Sequence, residues 1–106
     1  MLSVSDVRYI VDTIWSGRSA LSEEDEVKAL VLCRWIKSAE LTPWNCILLT
    51  EEEAEAHLKL ADPTTEYGDA LVSRVRHKHL RAKQHFVALQ SHLQRARKQA
   101  KCVGPR

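Results

Sequence analysis

The alternation of apolar and polar positions divides the chain into four stretches. In the first, Val7, Ile10, Val11, Ile14 and Trp15 follow the i, i+3, i+4, i+7, i+8 rule of an amphipathic helix. Ser5 stands where an N-cap would, Asp6 favours the positive helix start, and Gly17 stands where a C-terminal glycine would end the helix. In the second stretch Ser22 precedes Glu23, Glu24, Asp25 and Glu26, with Arg34 and Lys37 further on, the charge order that suits a helix dipole. Val27, Leu30, Val31 and Trp35 would share its inner face. The run Leu30 to Ile36 is also strand-like. Helix is the favoured reading for this stretch, and a short β-hairpin within 30–49 is the alternative.

The third stretch, TPWNCILLTEEEAEAHLKL (42–60), opens with a break at Pro43, because the residue before a proline avoids helix. Trp44 is expected to be buried. Cys46 to Leu49 is an apolar run, extended or a single turn, that enters the core. Thr50 and Glu53 form a capping box, with Glu51 and Glu52 filling the first turn of a short helix. Its inner face is expected to carry Ala54, His57, Leu58 and Ala61, and Asp62-Pro63 ends it. The fourth stretch predicts one long helix from about Thr65 to Lys101, since neither proline nor glycine interrupts residues 69–103. Leu71, Val75, Ala82, Phe86, Leu89, Leu93 and Ala96 lie near heptad spacing, with polar gaps at Lys78 and His79. Residues 103–106 read as a frayed tail.

The expected architecture is mainly α: short amphipathic helices round a Trp-rich corner, plus one long basic C-terminal helix. Its division is 1–62 (compact, acidic), 63–103 (long basic helix) and 104–106 (tail). The 106 residues suit one small domain with a modest core, often completed by a partner.

Charge sharpens this division. Residues 1–69 hold all 14 acids against 6 bases, a balance of −8; residues 70–106 hold 10 bases and no acid, +10. Such an asymmetry points to a basic arm that meets an acidic surface. Arg74, Arg76, Lys78, Arg81 and Lys83, then Arg95, Arg97, Lys98 and Lys101, ride on the apolar stripe. The same residues also fit a solvated face that balances the acidic half, capture by calmodulin or a related light chain, or non-specific nucleic-acid binding. The last has little aromatic support, with Phe86 the only nearby ring. Leu89-Gln90 and Leu93-Gln94 each resemble the start of an IQ motif. Gln94 falls where the first pattern needs a base, and the glycine is missing from both.

Catalytic chemistry finds little footing. Cys46 would need a histidine base and an orienting group, and His57 lies eleven residues on within a helix, so a buried structural cysteine is expected. His77 and His79 are two apart and His85 and His92 two turns apart, so no pair chelates one ion, and no metal or cofactor is expected. The glycines, at 17, 68 and 104, build no phosphate loop. The expectation is therefore a non-enzyme. Three widely spaced cysteines and no apolar leader suggest reduced thiols in an intracellular protein, with no membrane contact.

Three segments carry a family resemblance. DVRYIVDTIWSGRSALS (6–22), TPWNCILLTEEEAEAHLKL (42–60) and RHKHLRAKQHF (76–86), in that order, resemble the C-terminal portion of the IQ-motif and ubiquitin-like domain-containing family. The resemblance implies a structural role in the radial spokes of the axoneme, in motile cilia and sperm flagella, and hence a cytoplasmic, axonemal location. It implies axonemal and radial-spoke proteins as partners, and calmodulin through IQ motifs. This chain shows neither a ubiquitin-like domain nor a complete IQ motif, so those functions do not transfer with it. What transfers is a scaffold segment whose packing would be organised by Trp15, Trp35, Trp44, Asn45 and Tyr67, with Cys46 and Phe86 as further core.

Overall fold

The computed structural model describes residues 2–26 and 29–102, and side-chain surroundings as far as residue 89. Val27, Lys28 and the tail 103–106 lie outside the described residues, as do the side chains of Leu93 and Ala96 in the expected heptad. Helix α1 (Val4–Tyr9) runs directly into a π-helical turn, Ile10–Ile14. A hairpin of β1 (Leu30–Cys33) and β2 (Ile47–Thr50) follows. Then come α2 (Glu51–Leu58), α3 (Pro63–Glu66) and the long α4 (Asp69–Cys102).

The N-cap of α1 is Ser3 rather than Ser5. The Ser3 hydroxyl accepts the Asp6 N–H, and the Asp6 carboxylate accepts the Ser3 N–H, a capping box with Asp as its third residue. The π-turn ends in two successive left-handed residues, Ser16 (φ 58°) and Gly17 (φ 65°), which reverse the chain.

The helix expected from Ser22 does not form. The Ser22 hydroxyl accepts the Glu24 N–H and the Glu24 carboxylate accepts the Glu26 N–H, local bonds that compete with helix. Leu30–Cys33 instead pairs antiparallel with Ile47–Thr50, in the register Leu30↔Thr50, Val31↔Leu49, Leu32↔Leu48 and Cys33↔Ile47. The hairpin wins because both runs are apolar throughout. β2 is buried at Ile47, Leu48 and Leu49, and only a strand sandwiched on both faces uses such a run. The Ala20 N–H donates to the Leu48 carbonyl at 2.8 Å, so the preceding loop also meets the backbone of β2.

Asn45 closes the long hairpin connection. Its Oδ1 accepts the Ile36 N–H at 2.8 Å, and its Nδ2 donates to the carbonyls of Glu40 (2.8 Å) and Ile36 (3.2 Å). The same connection holds Trp35 in the core. It leaves Trp44 on the surface, 39% exposed, so the expected burial of Trp44 is overturned. A tight turn at Pro43–Asn45 points Asn45 and Cys46 inward, and Trp44 lies instead under the Lys83 ammonium, 5.8 Å from its ring centroid.

Helix α2 starts at the Thr50/Glu53 capping box. Ala54 and His57 turn inward. Leu58 (53% exposed) and Ala61 do not, because a helix of eight residues presents only one narrow stripe to the hairpin. Asp62 ends that segment and caps α3, accepting the Thr64 N–H at 3.0 Å. The long helix therefore begins at Asp69 rather than Thr65, after Gly68.

The core joins all these parts. Ile10, Ile14, Trp15, Trp35, Cys46 to Leu49, Leu71, Val72, Val75 and Ala82 form one cluster, with Phe86 and Tyr67 half-buried against it. On α4 the apolar stripe therefore works as core through Leu71, Val75 and Ala82, and Leu89 is already out in solvent. The Tyr9 ring stacks on His85 (3.7 Å) and meets Phe86 edge-on (5.8 Å), fastening α1 to the middle of α4.

Candidate interaction surface

Two histidines fix how α4 and α2 sit against the hairpin. His57 Nε2 is 3.0 Å from the carbonyl oxygens of both Arg34 and Trp35. Carbonyls only accept, so Nε2 carries the proton. Nδ1 is then free to accept from the Tyr67 hydroxyl at 2.7 Å. The rings of His57, Tyr67 and Trp35 stack at 5.6 Å from one another. Burial, helped by the Glu53 carboxylate and Cys33, pushes the Tyr67 hydroxyl above its ordinary value.

His79, on α4, lies 2.6 Å from the Cys46 carbonyl through Nε2. The Cys46 N–H also approaches that nitrogen, at 3.4 Å. One ring nitrogen cannot donate and accept at once. The shorter contact decides it: Nε2–H donates to the carbonyl, and the Cys46 N–H contact is no bond. Burial lowers the His79 pKa, although this hydrogen bond works the other way.

The Cys46 thiol lies inside the core cluster. It is wholly buried, and burial pushes its pKa up to about 12 despite a small opposing pull from Trp15. Its Sγ contacts the Pro43 carbonyl at 3.4 Å, and the nearby His79 is occupied by Cys46's own backbone. Among the described residues no three His, Cys, Asp or Glu side chains come together to hold a metal ion. None of the described helices is long and apolar enough to cross a membrane.

With one face of α4 fixed to the core, its basic residues sort into two flanks. Arg74, Lys78 and Arg81, spaced i, i+4, i+7, share one. Arg76 and Lys83, spaced i, i+7, share the other, and Lys83 is engaged over Trp44. Arg95, Arg97 and Lys98 lie outside the residues whose side chains are described. On the first flank burial lowers the Lys78 pKa, and both charges acting on it, Arg81 and Arg74, are positive and lower it further. This flank borders a cleft of about 420 Å³, whose other wall is the turn after α1, including Trp15, Arg18 and Glu23.

That opposite wall is held from beneath by Ser19. Its hydroxyl donates to the Glu53 carboxylate and accepts the N–H groups of Leu21 (3.1 Å) and Ser22 (3.3 Å). For Glu53, burial raises the pKa, but the hydrogen bonds from Ser19, Thr50 and Ser22 outweigh it and the group sits below its ordinary value. Sequence reasoning passed over Arg18, Ser19 and the inward role of His79; it placed His57 on the inner face of its helix but gave it no hydrogen-bonding role. Arg18 carries no local signal, because the α4 residues across the cleft from it, Leu71, Arg74 and Lys78, lie more than fifty residues away. The division of the cations into two flanks was available from their spacing alone.

The geometry defines a mainly helical unit with one small hairpin, with cations on two flanks of its long helix. No protein-family profile matches the chain. Over 86 residues, 81% of its length, it is 43% identical to a mouse (Mus musculus) "IQ motif and ubiquitin-like domain-containing protein". This match bears out the resemblance to the IQ-motif and ubiquitin-like domain-containing family, the chain being similar to one segment of that relative. It spans 11% of that mouse relative's length.

Proposed function

We propose that this chain is a non-catalytic scaffold module that docks on partner proteins through helix α4, in a radial-spoke assembly of the motile-cilium axoneme. The observation that carries the docking part is the arrangement of α4. Leu71, Val72, Val75, Ala82 and His79 are consumed by the core, and the cations from Arg74 to Lys83 are left on two outward flanks. The assembly is inferred from the kinship with the mouse relative and from what that family implies. Docking then proceeds by surface burial with charge complementarity, which sets orientation and association rate more than affinity. The location that follows is cytoplasmic, at the axoneme of cilia or flagella. Affinity purification of the tagged chain from ciliated cells or sperm, read by mass spectrometry, is expected to recover radial-spoke subunits. Recovery of ribonucleoproteins in their place contradicts the reading.

A second reading is favoured by the mouse relative's name, which includes an IQ motif. In it the basic α4 is captured by calmodulin or a related light chain. A peptide spanning residues 71–101 would then shift calmodulin on a native gel. No shift with or without calcium rules this out.

A further inference from the structure

We propose that the cleft between the turn after α1 and the first flank of α4 seats an acidic segment of a partner polypeptide. The proposal rests on the docking reading above and gives it a place and a chemistry. Arg18 stands on one wall and Arg74 and Lys78 on the other, three cations against the single acid Glu23. Trp15 and Leu71, otherwise buried in the core cluster, each show a narrow apolar edge (5% and 8% exposed) at the floor between them. Among the described residues no hydrogen bond or ion pair engages the side chains of Arg18, Arg74 or Lys78, so their charges are available to an incoming carboxylate.

The volume, about 420 Å³, lies within the range of ligand-binding clefts, roughly 300–1,000 Å³. The walls are pre-set. Ser19 is tied to Glu53 on α2, Ala20 is tied to Leu48 on β2, and the left-handed residues Ser16, Gly17 and Glu23 fix the turn. A rigid wall reduces the ordering cost of binding. The opposite flank, Arg76 and Lys83, offers the same kind of charge without this cleft, and Lys83 already lies on Trp44. A carboxylate-rich peptide with interspersed aliphatic residues matches the first flank on both charge and apolar surface.

The test uses the full chain and a fluorescein-labelled octapeptide of alternating Glu and Leu, followed by anisotropy, with a Gln/Leu octapeptide as control. Paired variants of equal charge change are compared: Arg74→Ala with Lys78→Ala, and Arg76→Ala with Lys83→Ala. Thermal melts by circular dichroism confirm that both fold. The expected result is binding of the Glu peptide alone, a loss of about tenfold or more in the first pair, and little change in the second. Equal losses in both pairs overturn the cleft in favour of diffuse attraction, and no binding of the Glu peptide overturns it outright. So does a concentration-dependent dimer that dissolves in the Arg74/Lys78 variant, because the occupant would then be a second copy. If the cleft fails while radial-spoke subunits still co-purify and are lost on charge reversal of α4, docking through α4 stands and only its seat is wrong.

Discussion

His79 on α4 donates its Nε2 proton to the carbonyl oxygen of Cys46, 2.6 Å away, at the start of β2. Thirty-three residues apart in the chain, these two groups set the rotation of the long helix on the hairpin, and hence which cations face the cleft. Burial keeps the folded-state His79 pKa below its ordinary value of 6.5. The unfolded chain gains this proton as pH falls through 6.5, and the folded chain only at lower pH. Stability from His79 is therefore complete above that value and declines below it.

Thermal melts across pH should show this decline below 6.5. His79→Gln keeps an amide donor for the Cys46 carbonyl but cannot titrate, so it should flatten the slope there. A further fall below 4.5, where Glu53 loses the charge favoured by Ser19 and Thr50, should persist in that variant. An unchanged slope between 6.5 and 4.5 in His79→Gln would show that another group is responsible.

Tyr67→Phe removes the hydroxyl that donates to His57 Nδ1 and leaves a buried acceptor unpartnered. The expected cost is about 1–3 kcal/mol, read as a lower denaturation midpoint with an unchanged m-value. A shift near zero would mean that water replaces the hydroxyl.

The two tryptophans of the hairpin connection should behave differently. Trp35 is almost fully enclosed and stacks on His57 and Tyr67, so Trp35→Ala should cost about 3–5 kcal/mol. Trp44 is surface-exposed with Lys83 above it, and Trp44→Ala should cost on the order of 1 kcal/mol. Denaturant titration of each variant decides this, and equal losses would place Trp44 in the core after all.

Gly17→Ala isolates backbone strain. A methyl group there meets nothing within 4 Å, yet the residue holds φ at +65°. The loss should be about 1–2 kcal/mol and conformational in origin. Gly17→Asn, which tolerates the left-handed region better, should recover part of it in the same melt.

With its thiol raised to about 12 and fully buried, Cys46 should resist iodoacetamide in the native protein and react only on unfolding. Peptide mapping reads it separately from the other cysteines. Rapid native labelling of Cys46 would reopen a reactive role.

Legibility differed with the range of the signal. The Thr50/Glu53 box, the break at Asp62-Pro63 and the reversal at Gly17 were readable because each depends on neighbours within four residues. The strand Leu30–Cys33 was ambiguous because a short all-apolar run fits a helix face or a buried strand equally, and only its pairing with Ile47–Thr50 decides. Trp44 was misplaced for a related reason: the turn at Pro43 settles which side of the chain faces the core, and hydrophobicity does not encode that. The cations of α4 were legible as one basic set, and their i, i+4, i+7 spacing would also have separated Arg74, Lys78 and Arg81 as a flank. Arg18 joined it only through the fold, across a cleft built from segments distant in sequence.

Docking through α4 is tested most directly by the charge-reversed variant Arg74→Glu, Arg76→Glu, Arg81→Glu, compared with the unmodified chain in co-purification from sperm or ciliated cells. All three side chains are exposed, so the circular dichroism melt should scarcely change. The predicted result is loss of the co-purifying radial-spoke subunits with the fold intact. Undiminished recovery of those subunits by the folded variant would contradict docking through the basic helix.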